Sequence, residues 1–217
     1  MSQTLINNLW KATGETFYMV GISTLIAIIF GLPLGIALIT TDRNGLFPNR
    51  AVNQILAAII NVGRSLPFII LLIAIIPFTR LVVGTSIGST AAIVPLAVAA
   101  IPFYARVAES ALREVDRGLI EAAQAMGCTN AQIITKVLIP EAIPGLVSGA
   151  TITIISLIGY SAMAGAVGGG GLGNLAITYG YQRFQVNVMV ATVVVLVVLV
   201  QIIQWLGDIL AKQLRHR

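Results

Sequence analysis

Residues 165–176, GAVGGGGLGNLA, hold Gly168, Gly170 and Gly173 at the G-x-G-x-x-G spacing that cradles a dinucleotide pyrophosphate. That chemistry needs a short strand before the glycines, a helix opening on them and an acidic residue about 20 positions on to hold a ribose. Here a long apolar run precedes the glycines, and Val193 stands where the acid belongs. The nucleotide reading is excluded. The glycines read instead as backbone freedom in a surface or re-entrant loop, with the lining of a substrate entrance as the alternative. No other constellation for catalysis is present: the sequence lacks G-x-x-x-x-G-K-[ST], Cys128 is its single cysteine, and His216 is its single histidine, in a basic tail. Neither a metal cluster nor a Ser-His-Asp set is available from such an inventory. No catalytic residue and no metal ligand are expected, and the chain is not read as an enzyme.

The elements around these residues follow from charge spacing. Of 217 residues, 57% are hydrophobic and 10% charged, against about 25% charged in an average soluble domain. Uncharged gaps of 26, 25 and 24 residues separate Glu15 from Asp42, Arg80 from Arg106 and Arg183 from Asp208. Each exceeds the roughly 20 residues a helix needs to cross a bilayer. Two further segments complete an expectation of five transmembrane helices in an all-α membrane protein, at about 16–41, 55–77, 86–106, 142–163 and 185–208. One transmembrane domain then covers 1–217. The near-neutral start and the long apolar run behind it do not fit a cleaved signal.

An odd number of crossings puts the termini on opposite sides. With the N-terminus outside, nine of the thirteen Lys and Arg residues fall in inner segments, among them Arg43, Arg50, Arg113, Arg117, Lys136 and Lys212. Lys11, Arg80 and Arg183 fall outside, so the charge bias gives N-out and C-in. The net charge of +5 reflects a membrane surface; no basic face with interleaved aromatics suggests nucleic acid. Arg64 remains inside a span, where a cation costs several kcal/mol unless it snorkels, pairs or faces water. Apart from Asp208 at the very end of the fifth, no acidic residue lies in the expected spans. Arg64 therefore either snorkels to the inner interface from a helix starting near residue 58, binds carbonyls freed by Pro67, or lies beside a translocation path.

The inner connection at about 107–141 is patterned as two short helices. Asp116 can cap the first, with Leu119, Ile120, Ala123 and Met126 at helical spacing and Gly127 as its left-handed stop. Thr129 and Gln132 form a capping box for the second, whose Ile133, Ile134 and Val137 make an apolar stripe that Pro140 ends.

Glu121, Ala122, Ala123 and Gly127, followed after nine intervening residues by Val137-Leu138-Ile139-Pro140, resemble the EAA loop of permease subunits of bacterial ATP-binding cassette importers. Val137 and Ile139 stand where that pattern has Ile and Leu. The stretches RSLPFIILLIAIIPFTR, VGTSIG, GYSAMAGAVGGGGLGNLA and YGYQRF extend the likeness over nearly the whole chain, to permeases of the methionine importers. The resemblance implies the type I importer fold in the bacterial inner membrane, with a second copy as homodimer partner. It further implies two cytoplasmic ATPase subunits that bind ATP and Mg, an external substrate-binding lipoprotein, and methionine, the D-isomer included, as cargo. In that family the EAA loop is a coupling helix, which assigns ATPase docking to Glu121, Ala122, Ala123, Gly127 and Pro140 and leaves this chain without a cofactor.

Five helices enclose no useful cavity alone, so a symmetric pair is the economical way to build a path. Ser156, Tyr160, Ser161 and Met163 place hydroxyls and a thioether on the outer half of the fourth span, and with Arg64 they are the path or gate candidates. Helix packing in lipid is the competing role for the hydroxyl and small residues there. Two other functions remain open at this point. One is the same permease class with another amino acid or small solute. The other is an autonomous secondary transporter, although no internal repeat or intramembrane carboxylate is visible.

Overall fold

A computed structural model describes residues 3–215; His216 and its tail position lie outside them. The described residues form an all-helical bundle: α1 Gln3–Thr41, α2 Arg50–Ser65, α3 Phe68–Ala74, α4 Ile76–Val83, α5 Ser89–Arg113, α6 Arg117–Ala125, α7 Asn130–Ile133, α8 Ile139–Gly165, α9 Gly171–Leu175 and α10 Val186–Leu214. A π turn, Ile134–Leu138, joins α7 to α8, and a second, Ala176–Tyr181, follows α9. Four helices are long and apolar enough to cross a membrane: Leu5–Thr41, Ser89–Arg113, Asn130–Gly165 and Val186–Leu214. A fifth crossing is made only if α2 and α3 count as one, across a bend of 98°.

That bend corrects the straight span expected at 55–77. Pro67 disfavours the helical conformation in the residue before it, and Leu66 accordingly sits in extended backbone at φ −77°, ψ 125°. Pro67 then caps α3, its carbonyl accepting from Ile70 and Leu71 at 3.0 Å.

The fourth span is corrected in the opposite sense, because Pro140 does not end the helix. In the π turn the Ile139 amide reaches back five residues to the Ile134 carbonyl. The widened turn just before Pro140 relieves the clash its ring would make with a carbonyl four residues back. One continuous helix therefore climbs from the inner surface at Asn130 to Gly165.

Two pairs of glycines spaced by four clasp α5. A Cβ at Gly31 would lie 2.9 Å from the Ile101 carbonyl oxygen, and one at Gly35 2.8 Å from that of Ala105. From the other side, Cβ atoms at Gly145 and Gly149 would press on Ala111 and Val107. Small-residue spacing of this kind lets backbones approach where lipid offers no hydrophobic drive. The result is a central α5 whose Leu96, Ala100, Ala105 and Ala108 are fully buried, with α1, α2 and α8 around it.

Candidate functional site

At the inner end, the two short elements form as their caps dictate. The Asp116 carboxylate accepts the Gly118 amide at 2.7 Å. Gly127 adopts φ +80°, and the Cys128 amide returns to the Ala123 carbonyl at 3.1 Å, the closure a left-handed residue allows. Thr129 and Gln132 make both bonds of the capping box. Leu119, Ile120, Ala123 and Met126, which recur at helical spacing, divide between two faces. Ala123 is 2% exposed and Ile120 packs inward, whereas Leu119 is 45% and Met126 77% exposed, with Ala122 and Glu121 also in the open. An outward ridge of Leu119, Ala122 and Met126 thus rises three and four residues apart on α6.

Glu121 also borders a cavity of about 330 Å³ between α6 and the turn after α1, where Asp42, Arg113 and Arg117 converge. The Arg43 amide, 2.7 Å from Asp42 Oδ1, and beside it Arg113, hold the Asp42 carboxyl below its usual range. Asn130 donates to the Leu46 carbonyl at 3.2 Å and ties this turn to α7. Pro140 is exposed where α8 leaves the inner surface.

Within the membrane, α8 is packed on three sides and bare on one. Thr153, Leu157, Ile158, Ser161 and Ala164 are buried. Ser148, Ile152, Ser156, Gly159 and Met163 recur three and four residues apart along an open stripe, with Ile152 at 49% and Met163 at 48% exposure. Tyr160 borders it, half-buried, with its ring stacked on Phe68 at 4.8 Å and 5°. Of the candidates on this span, Ser156, Tyr160 and Met163 come together. Ser161 points the other way and donates to the Ile158 carbonyl at 2.8 Å.

Arg64 lies in the last turn of α2, exposed. Because α2 begins at Arg50 rather than near residue 58, Arg64 stands about 21 Å along the helix axis from its first residue. Its charge complements the carbonyl end of α2, one turn before the Phe68–Tyr160 stack.

At the outer end the glycine run folds back into the bundle. Gly168, Gly170 and Gly171 have φ between +73° and +84°, and the Gly168 carbonyl accepts from Gly88 at 2.9 Å. The amides a phosphate would need are occupied: Gly171 donates to Glu15 Oε2 at 2.8 Å and Leu172 to Thr16 Oγ1 at 3.0 Å. A carboxylate at a helix N-terminus satisfies orphan donors and complements the dipole. Replacing Glu15 by alanine is expected to lower the unfolding midpoint, equivalent to about 1–2 kcal/mol. Exchange of the Gly171 and Leu172 amides with deuterated water should accelerate first; unchanged protection there would count against the cap.

Sequence reasoning missed a charged cluster on α5. The helix runs seven residues past the expected boundary at 106, so a carboxylate does lie in a span: Glu109, 5% exposed, between Arg106 and Arg113. The signal available was the spacing R-x-x-E-x-x-x-R itself.

Membrane-crossing helices around one open stripe, with two short helices on the inner face, define a multi-pass membrane protein. The chain belongs to the family described as binding-protein-dependent transport system inner membrane component, whose model matches residues 27–216. It is 56% identical over 209 residues to the probable D-methionine transport system permease protein MetI of Vibrio cholerae, covering 96% of this chain and 93% of that protein. To the methionine import system permease protein MetP of Bacillus subtilis it is 48% identical, covering 98% and 96%. A chain of the MetNI methionine ABC transporter, solved in inward-facing conformations, superposes with a TM-score of 0.97 at 50% identity over 99% of both chains. The fold is accordingly that of the type I importer permeases in the inner membrane.

Proposed function

We propose that the chain is the permease of a methionine importer, accepting the L- and D-isomers. It works as a symmetric pair with two cytoplasmic ATPase subunits that bind ATP and Mg, and an external binding lipoprotein delivers the cargo. The observation that carries the reading is near-complete coverage at 48–56% identity by proteins named for methionine transport, together with the MetNI likeness. The α8 stripe supports it physically, since a second copy facing the first across Ser148, Ile152, Ser156 and Met163 encloses a path with hydroxyls and a polarizable thioether suited to a flexible apolar side chain. Tyr160 and Arg64 flank that path, and Ser161 serves it only by holding α8 in place.

On the inner face, Leu119, Ala122 and Met126 form the ridge that enters the ATPase. Glu121 pairs with a cation there, while Ala123, Gly127 and Pro140 fix the angle of the lever. The test is uptake of labelled methionine into liposomes by the chain purified with its ATPase and binding protein. Gly127→Asp should cut uptake at least about tenfold, because side chains rarely adopt φ +80°, the new carboxylate adds a charge to the docking face, and a misaimed lever uncouples hydrolysis from transport. Wild-type uptake by that variant refutes the docking role.

A further inference from the structure

Arg106, Glu109 and Arg113 occupy one face of the last turns of α5. The two oxygens of the buried Glu109 carboxylate go to different guanidinium groups, Oε2 to Arg106 at 2.5 Å and Oε1 to Arg113 at 2.7 Å. Each arginine extends a second arm to another helix. Arg106 Nη2 donates to Asn61 Oδ1 on α2 at 2.7 Å, and Arg113 Nη1 to Asp42 Oδ2, just past the end of α1, at 2.9 Å.

The chain of bonds therefore has two destinations. Downward, α6 starts four residues beyond Arg113, and the turn that holds Asp42 is tied to α7 through Leu46 and Asn130. Upward, Asn61 lies one turn below Arg64, on the helix that bends at Pro67 and continues to Phe68, stacked on Tyr160. Beside this bond α2 meets α5 through apolar groups: Ile60 packs with Ala105, next to Leu38 of α1, and Gly63 lies against Pro102. Apolar contact resists separation but permits sliding, because it has no direction. Hydrogen bonds and ion pairs are directional and so hold a register that apolar contact leaves free, and a buried carboxylate costs more than an apolar side chain that would fill the same space.

We infer that Glu109 is a positioning residue: it joins Arg113 to Arg106 and so conveys movement of the inner lever to α2 and the Arg64 end of the path. This rests on the permease reading above. The experiment uses the whole reconstituted complex and measures methionine moved per ATP hydrolysed. Asn61→Ala removes only the arm to α2 and leaves Glu109 with both arginines. Its expected effect is ATP hydrolysis within about twofold of wild type, unchanged yield of the complex, and transport per ATP lower by about fivefold or more. Asn61→Asp, which keeps an acceptor for Arg106, should restore the ratio. Equal stoichiometry in Asn61→Ala and wild type overturns the inference, as does a fall in transport and hydrolysis in proportion to lost complex. Wild-type vesicles test the functional reading separately, since failure to take up methionine there refutes the cargo while the ratio of the variants still judges the strut.

Discussion

One added methyl group at Gly173 is expected to destabilise the folded chain strongly, while the same change at Gly159 is expected to leave its stability unchanged. A Cβ on Gly173 would overlap the Cα and carbonyl oxygen of Ala162, and a Cβ on Gly165 would overlap the Asn174 amide nitrogen and the backbone of Gly173. The two glycines let the top of α8 and the returning segment α9 touch backbone to backbone. Overpacking usually costs about 1–3 kcal/mol because side chains turn aside. Backbone atoms inside two packed helices have no such freedom, so Gly173→Ala should cost about 3 kcal/mol or more, a large part of a membrane domain's marginal stability. At Gly159 no atom lies within 4 Å of the new Cβ, and alanine also favours the helix. Thermal unfolding of both variants after detergent extraction checks the contrast; a Gly173→Ala protein as stable as wild type removes the account of how the outer end closes.

Much of the architecture was legible because bilayer thickness writes itself into charge spacing. The gaps from Glu15 to Asp42, Arg80 to Arg106 and Arg183 to Asp208 each correspond to a crossing helix, and the caps at Asp116, Gly127 and Thr129 behave as their side-chain chemistry requires. Local rules failed where two of them competed. At Pro67 hydropathy promised a continuous span, but the restriction on Leu66 won and the chain turned by 98°. At Pro140 the helix-breaking rule lost to a single widened turn, which hydrogen bonds along the chain can supply at little cost. Facing was harder to read than existence. Leu119 and Met126 recur with Ala123 at helical spacing yet lie outside while Ala123 is buried, and Ser161, on the same span as Ser156 and Met163, is buried away from the open stripe. Glu15 gave no local sign of its role because its partner, the Gly171 amide, is 156 positions away. Tertiary pairing over such distances has no one-dimensional signature.

The buried carboxylate on α5 offers the second large effect. Glu109→Ala leaves Arg106 and Arg113 facing each other across the space it occupied, with nothing from α5 to neutralise them. Breaking a buried pair by removing one partner typically costs about 3–5 kcal/mol, since the surviving charge stays desolvated. Arg113 is half-exposed and keeps Asp42, and Arg106 is partly exposed and keeps Asn61, so solvent screens part of the penalty and a loss of about 2 kcal/mol is expected in denaturant or thermal unfolding. Converting both Arg106 and Glu109 to leucine should recover most of that stability, because apolar side chains of similar size fill such sites without a desolvation cost. The recovered protein should nevertheless remain poorly coupled, for α2 would again be held to α5 by apolar contact alone. Stability regained together with full transport per ATP would mean that the charges serve packing only; stability regained without it separates holding the bundle together from moving it.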